Sequence, residues 1–506
     1  MSSYHSMNMN INADLGAYVR LMNLSGNMIP HDHTPTPHGL LDALLDHERF
    51  AFNFSVGLVG GWMILVVMST FTPTMNLDII SLKSSWNELT SSRDSRLDIL
   101  DVFRVIAIVW VIVNHLGSEG RVDILEGLPS AKAFKDAVHN HPIFGALLGN
   151  SALGVEIFLV LSGLLAARSW HRQSKQPFFE HARIFLVRRV FRLLPIMAVF
   201  IFVATGPIVK YALPRFHNTM VANCGTRGII SHLTLTANWQ STPTCLGYLW
   251  YLGLDTQLYL IAPILLHFLY HRTRFAVCLI LFLTSVSAFL RAVYCQTYGV
   301  CNKSDVDIPF IFIPSMNPEQ LRKTYAGLWE MYSRPCTKCG PFLIGLLLGF
   351  ITSNVKIQLS VPIVRRVFTL GLTCAIVVIY AILPEYWWPN QGNTVYNTLY
   401  TAMFRTIFAT AIAIMIGALF YSVSRPRVSY FWAILAKLTF NVYLLHMPAV
   451  YVFNHLPYLQ TTVSAYSLII LLPFVCALSF AAALVFYLFV EAPLSRISNQ
   501  FLKTIS

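Results

Sequence analysis

The chain has 506 residues, of which 55% are hydrophobic and 12% charged, with a mean hydropathy of +0.58. Soluble domains carry about 25% charged residues, so the composition excludes an ordinary soluble enzyme and implies an integral membrane protein. The net charge of +13 does not mark a nucleic-acid binder, because the lysines and arginines gather at the ends of apolar runs and form no single patch.

In chain order, residues 1–51 read as a polar, non-cytosolic tail. No basic segment runs directly into an apolar one there, so no cleaved signal peptide is expected. Its HDHTPTPH stretch at 31–38 has the makings of a metal-binding run, but Pro35 and Pro37 favour a flexible polar linker. Spanning helices need about 20 mostly apolar residues. Such runs fall near 52–72, 99–116, 143–166, 190–210, 248–270, 276–295, 340–353, 367–384, 404–422, 432–453 and 466–490, about eleven in all. The run at 340–353 is the shortest. The expected fold is therefore all-α, a polytopic membrane helix bundle. Residues 73–98 become a cytosolic linker, 99–491 the core and 492–506 a cytosolic tail.

Orientation follows from the basic residues in short loops. The connection after the third span carries Arg168, Arg172, Lys175, Arg183, Arg188, Arg189 and Arg192. Alternate connections agree: Lys83, Arg93 and Arg96, then Arg272 and Arg274, then Lys356, Arg365 and Arg366, then Arg425, Arg427 and Lys437. These belong to the cytosol, as do Arg496 and Lys503 in the tail, whereas 385–403 and 454–465 hold no Lys or Arg. Eleven spans then place the N-terminus outside or lumenal and the C-terminus inside, in the endoplasmic reticulum or plasma membrane.

The nine cysteines agree. Cys278, Cys374 and Cys476 lie within spans and read as packing residues. Cys224, Cys245, Cys295, Cys301, Cys336 and Cys339 fall in or beside two loops, 211–247 and 296–339, that charge alone places outside. An oxidising compartment there permits up to three disulfides, in any of 15 pairings. The CTKC of 336–339 has no second cysteine pair at zinc-ligand spacing, so bridging is expected over metal binding or redox activity. Asn302-Lys303-Ser304 is a glycosylation sequon on the same side.

Polar residues inside the spans carry the functional signal. Arg104 and His115 are eleven residues apart, about 20° from eclipsed on a helix and about 16 Å apart along its axis. Singly, Arg104 reads as snorkelling and His115 as an interfacial residue. Sharing a face, they imply a lined cavity, since intramembrane ionisable groups usually face one. GVEIFLVLSG at 154–163 adds Glu156 and Ser162. LWYLGLDTQLYLIAP at 249–263 adds Asp255, Gln257 and Tyr259, with Asp255 and Tyr259 one turn apart. His446 sits in FNVYLLHMP, and Glu491 ends the last span before Pro493. Any one of these reads alone as a satisfied buried group. Together they imply a polar core.

These motifs resemble one family, the acyltransferase-3 membrane proteins, and in particular the animal branch called nose-resistant-to-fluoxetine-like. The resemblance covers about residues 95–495 in collinear order. Arg104 and His115 match the family's arginine and histidine on its first core helix. GVEIFLVLSG is similar to its Gly-Val-Asp-Leu-Phe-Phe-Val-Leu-Ser-Gly-Phe. RRVFRLLP at 188–195, LWYLGLDTQLYLIAP, VYLLHMP and VEAP resemble its later blocks. Glu156 stands where aspartate is commoner, and Asp255-Thr256 where the family has paired glutamates. The family implies a ten-helix core, which makes 52–72 an extra N-terminal helix. The animal branch also tends to carry an extracellular domain before its first span, and the tail of about 50 residues here is expected to be a truncated form of it.

The resemblance implies transfer of an acyl group from cytosolic acyl-CoA to a hydroxyl acceptor: a lipid, sugar or small molecule. Arg188, Arg189 and Arg192 are then expected to bind the donor's phosphates. Arg104 would hold phosphate or stabilise charge at the thioester. His115 would take the acceptor's proton, with Asp255 or Glu156 orienting its ring. Gln257, Tyr259, His446 and Glu491 complete the polar core. Membrane lipids and acyl-CoA are the expected partners, with no metal. Two other classes fit the same fold, a transporter of lipids or hydrophobic small molecules and a catalytically silent regulator. The absence of paired Gly/Pro interruptions in matching halves counts against transport.

Overall fold

The computed structural model describes residues 37–71, 78–91, 97–117, 141, 143–150, 152–171, 177–222, 224–240, 245–301, 318–384, 394–424, 428–453 and 465–505. The sequon at 302–304 lies outside them, as do 31–36 of the histidine stretch and the loop cations Arg93, Arg96, Arg172, Lys175, Arg425 and Arg427.

The long helices are α1 (Pro37–Phe71), α2 (Leu82–Thr90), α3 (Ile99–Gly117), α4 (Leu153–His171), α5 (Phe178–Thr205), α6 (Trp250–His271) and α7 (Thr273–Tyr298). They continue as α8 (Pro318–Ser333), α9 (Pro335–Asn354), α10 (Val361–Tyr380), α11 (Thr394–Phe420), α12 (Tyr430–Phe453), α13 (Ala465–Phe486) and α14 (Ala492–Ile505). Among the described residues the β content is one isolated bridge, Leu359 to Ser422. Among the described residues, ten stretches are long and apolar enough to cross a membrane. An eleventh helix, α5, has 28 residues, but Arg188, Arg189 and Arg192 in its middle dilute its apolar character. It replaces the span expected at 190–210 and starts earlier, because its charged first half is helical too.

Other boundaries move for local reasons. In place of the one helix expected at 143–166 there are two, a short one at Phe144–Gly149 and α4 from Leu153. The short run at 340–353 belongs to a stretch from Ala326 to Asn354, broken only where Arg334 caps α9. The helix α1 begins at Pro37, within the residues expected to be tail. The loop expected at 211–247 is a chain of short helices, among them Thr226–Leu233.

Two apolar clusters share α3, α4 and α9. One extends to α5, α6, α12 and α13, the other to α10 and α11. Large apolar side chains outside them, such as Phe282 at 63% and Leu370 at 66% exposed, form an outer surface suited to hydrocarbon. The tightest seam joins α4 to α9. A methyl at Gly345 would overlap the Val160 carbonyl, and one at Gly349 the Leu164 carbonyl. GLLLG at 345–349 thus brings two backbones into contact, as small-residue repeats do in membranes. Gly163 meets the Phe342 carbonyl in return, and because the pairs 160 with 345 and 164 with 349 rise together the helices run parallel.

The expected linker is itself partly helical. Lys437 donates to the Glu88, Leu89 and Ser91 carbonyls at 2.8–2.9 Å and caps the end of α2. Arg496 donates to the Ile79 carbonyl at 2.6 Å. On α1, Trp62 donates to the Phe489 carbonyl at 2.8 Å, inside a π-helical turn at Tyr487–Glu491.

Candidate functional site

Three polar centres lie inside the bundle. The first follows directly from the α4–α9 seam. Glu156, in the first turn of α4, is fully buried, and its Oε1 accepts from Lys338 Nζ of α9 and from Arg405 Nη1 of α11, the latter at 2.5 Å. Tyr332 lies beneath both cations, 4.1 Å from Lys338 Nζ and 5.0 Å from the Arg405 guanidinium carbon. Arg291, also fully buried, satisfies its guanidinium on neutral acceptors: the Ala402 and Thr337 carbonyls, Ser287 and Thr406. It ties α7 to α9 and α11.

The second centre is built on α6. Asp255 is fully buried, accepting from Arg189 of α5 on one oxygen and from Ser162 of α4 on the other. Arg189 also lies 4.2 Å over the Tyr259 ring. Tyr259, one turn on from Asp255, donates to the Ser162 carbonyl at 3.3 Å.

The third is a pair of imidazoles. His115, near the end of α3, has its ring centroid 5.0 Å from that of His446 on α12. His446 is fully buried, and its Nδ1 faces the Tyr443 carbonyl at 2.8 Å and the Val442 carbonyl at 3.2 Å. Carbonyls only accept, so Nδ1 carries the proton and Nε2 presents its lone pair. That Nε2 is buried without a hydrogen-bond partner among the described residues. Tyr248 and Tyr443 stand 5.5 Å and 5.9 Å from His446. Tyr443 in turn meets Tyr251 edge-on at 5.9 Å, and Tyr251 lies one helical turn before Asp255 on α6. A string of rings therefore connects the histidine pair to the second centre.

Several expectations change. Neither carboxylate orients His115: Glu156 is committed to Lys338 and Arg405, and Asp255 to Arg189 and Ser162. Buried carboxylates take the nearest cations, and these helices bring cations. Arg189 turns inward, while Arg188 and Arg192 stay exposed. Arg104 and His115 keep their separation along α3, and Arg104 pairs with Asp101 at 2.7 Å. Gln257 is bound to the short-helix region, donating to the Leu235 carbonyl and accepting from Trp239 at 2.9 Å. Glu491 lies in the π-helical turn, within electrostatic reach of Arg192.

Sequence reading passed over Lys338, Arg405 and Arg291. Each is a cation within or beside an apolar run, the same signal that singled out Arg104. Among the described residues, no group of three or more His, Cys, Asp or Glu is placed to hold a metal.

Two disulfides form, Cys224–Cys245 and Cys295–Cys301. Cys336 and Cys339 are free thiols, against the expectation of a bridge. The reason is local: CTKC is not loop but the first turns of α9, which directs Cys336 outward and Cys339 toward Ser287 of α7.

An all-helical membrane bundle with buried histidines and carboxylates at these motifs defines a class of polytopic membrane proteins. The acyltransferase domain family (acyltransferase-3) matches residues 97–488, and the chain belongs to that family. It is 57% identical over 440 residues to "Regulator of hypoxia-inducible factor 1" of Caenorhabditis elegans, covering 87% of this chain and 88% of the relative. It is also 22% identical over 346 residues to "Nose resistant to fluoxetine protein 6" of the same organism, 62% of this chain but only 39% of that longer protein. That match agrees with the branch the motifs resemble. No solved structure matches the chain.

Proposed function

We propose that the chain transfers an acyl group from a coenzyme A thioester to a hydroxyl acceptor, with the histidine pair as its base. The observation that carries this is the juxtaposition of His115 and His446, one ring with a defined free lone pair, inside a family of acyltransferase domains. A hydroxyl is a poor nucleophile until its proton is removed. His115 is the partner assigned to meet substrate, because it is half-buried while His446 is fully buried. The acceptor oxygen attacks the thioester carbonyl as His115 takes its proton. The tetrahedral adduct then expels coenzyme A thiolate, which recovers that proton.

Arg188 and Arg192, exposed on α5, are the phosphate ligands for the donor, with Arg104 deeper in the bundle. The orientation that goes with this puts the basic loops in the cytosol and both disulfides outside. It is supported by helix counting: both disulfides lie at the ends of α5, α6 and α7 that share one side.

The relative named as a regulator favours a second reading, a catalytically silent regulator on the same fold. The two separate by turnover of labelled acyl-CoA in detergent-purified protein, with hydroxyl acceptors drawn from membrane lipids. Wild type should release coenzyme A and acylate an acceptor. His115→Gln should lose about 100- to 10,000-fold with its melting temperature unchanged, and His446→Gln should fail as well. No coenzyme A release with any acceptor would leave the regulator reading.

A further inference from the structure

The CTKC turn has a geometry that the acyl-transfer reading does not use. Cys336 and Cys339 are free, one exposed and one half-buried, at the start of α9. They are separated by three positions, so they lie one turn apart and about 60° around the axis, Cys336 facing out and Cys339 toward α7, with Cβ atoms about 5–6 Å apart. The Cys339 Sγ points back along the helix to the Cys336 carbonyl, 3.8 Å away. A disulfide needs its Cβ atoms at about 3.5–4.5 Å. The turn can close that gap, because it is the first turn of its helix. Pro335 has no N–H to lose, and the amides that follow include early groups without an i−4 partner. The Thr337 amide already bonds the Arg334 carbonyl three residues back, at 3.2 Å, in the tighter 3₁₀ manner.

We propose that Cys336 and Cys339 form a reversible dithiol–disulfide pair, a modification site whose state is transmitted to the Glu156 centre. The two residues inside the loop make the link. The Thr337 carbonyl accepts from Arg291 at 2.6 Å, and Lys338 Nζ donates to Glu156. Tightening the turn shifts both. The pair also lies beside α7, which ends in the Cys295–Cys301 disulfide, so one oxidised pair already exists on that helix.

The co-reactant is a small-molecule disulfide such as oxidised glutathione. The exposed Cys336, as thiolate, attacks one of its sulfurs. A mixed disulfide forms and one glutathione thiolate leaves. Cys339, having given up its proton, attacks the Cys336 sulfur, and the second glutathione leaves as thiolate. The two cysteine protons end on the two glutathione thiols. The protein has lost two electrons and the glutathione disulfide has gained them. This step is independent of acyl transfer and holds whether or not the chain is an enzyme.

The test uses the full chain purified in detergent and equilibrated across ratios of reduced to oxidised glutathione. Thiols are blocked with N-ethylmaleimide and read by peptide mass spectrometry. The expected result is joint loss of label from Cys336 and Cys339, replaced by one internal bridge, with a midpoint that follows the square of reduced over oxidised glutathione. Cys339→Ser should instead hold a glutathione on Cys336. Wild type should melt at different temperatures in its two states, and Cys336→Ser at one. Cys278, Cys374 and Cys476 provide free-thiol references and the two existing disulfides oxidised ones. Full labelling of both cysteines even in oxidised glutathione alone would overturn the proposal. So would bridges from either to other cysteines, or a Cys339→Ser protein that takes up no glutathione. If Cys339→Ser does not fold, the wild-type titration and the Cys336→Ser melt decide.

Discussion

Glu156 and Asp255 are equally withdrawn from solvent, yet the molecule holds them differently. Glu156 has two cations from two other helices on one of its oxygens. Asp255 divides its oxygens between one cation and one hydroxyl. The first arrangement ties α11 to α4 and α9, the two helices whose backbones approach closest. It braces the bundle. The second sits among Tyr251, Tyr259 and Arg189, at one end of the ring string that leads to His446 and His115. Two carboxylates from similar motif positions thus serve different ends, and what separates them is the cations the neighbouring helices supply.

Removing Glu156 should have the largest effect on stability. Glu156→Ala takes the shared carboxylate from two buried cations. Breaking a buried pair from one side typically costs about 3–5 kcal/mol. The expected outcome is a steep fall in melting temperature and in recovery of folded protein from membranes. Glu156→Gln should fall nearly as far, because it keeps the shape but not the charge. A Glu156→Ala protein that melts like wild type would mean the brace is elsewhere.

Asp255→Asn sharpens the contrast. Its partner Arg189 keeps a side chain 21% exposed and a second contact 4.2 Å over the Tyr259 ring, so it is less stranded than the two cations on Glu156. The stability loss should be about 1–3 kcal/mol, nearer the lower figure. Coenzyme A release should drop by a larger factor than that instability explains. If Asp255→Asn loses stability as Glu156→Ala does and keeps its turnover, the second centre is another brace.

How much of this was legible varies by element. Spans were readable because twenty apolar residues in a row have few alternatives. Their ends were not, as α5 shows: its cationic half continues the helix because Arg189 has Asp255 to face, a long-range fact. The polar residues on quoted motifs were all visible, but their partners were not. Nothing local says that Asp255 belongs to Arg189 and not to His115. Lys338 was hidden by its neighbours, since a Cys-Thr-Lys-Cys stretch draws the eye to its cysteines. GLLLG at 345–349 was a readable signal for close helix approach, and it is what sets Lys338 against Glu156.

The smallest effect lies outside the membrane, where a third buried polar group tests whether burial alone has consequences. His232, in the helix Thr226–Leu233, is 3% exposed, and its Nε2 donates to the Cys245 carbonyl at 2.7 Å. Burial pushes its pKa below the ordinary histidine value, a shift the hydrogen bond to Cys245 only partly offsets. Above about pH 6.5 the ring is neutral folded or unfolded, and contributes no pH dependence. As the pH falls through that value, the unfolded chain takes up a proton that the folded one refuses. The unfolded state then binds more protons, so stability falls with pH, at a limiting slope of about 1.4 kcal/mol per unit. The fall continues until the depressed folded pKa is reached. Amide protection across residues 226–240, taken relative to the intrinsic exchange rate at each pH, should therefore fall between pH 7 and pH 5 in wild type. His232→Gln, which keeps a donor for the Cys245 carbonyl, should show a shallower slope than wild type. Equal slopes would assign the acid sensitivity of this cap to other groups and leave His232 as packing.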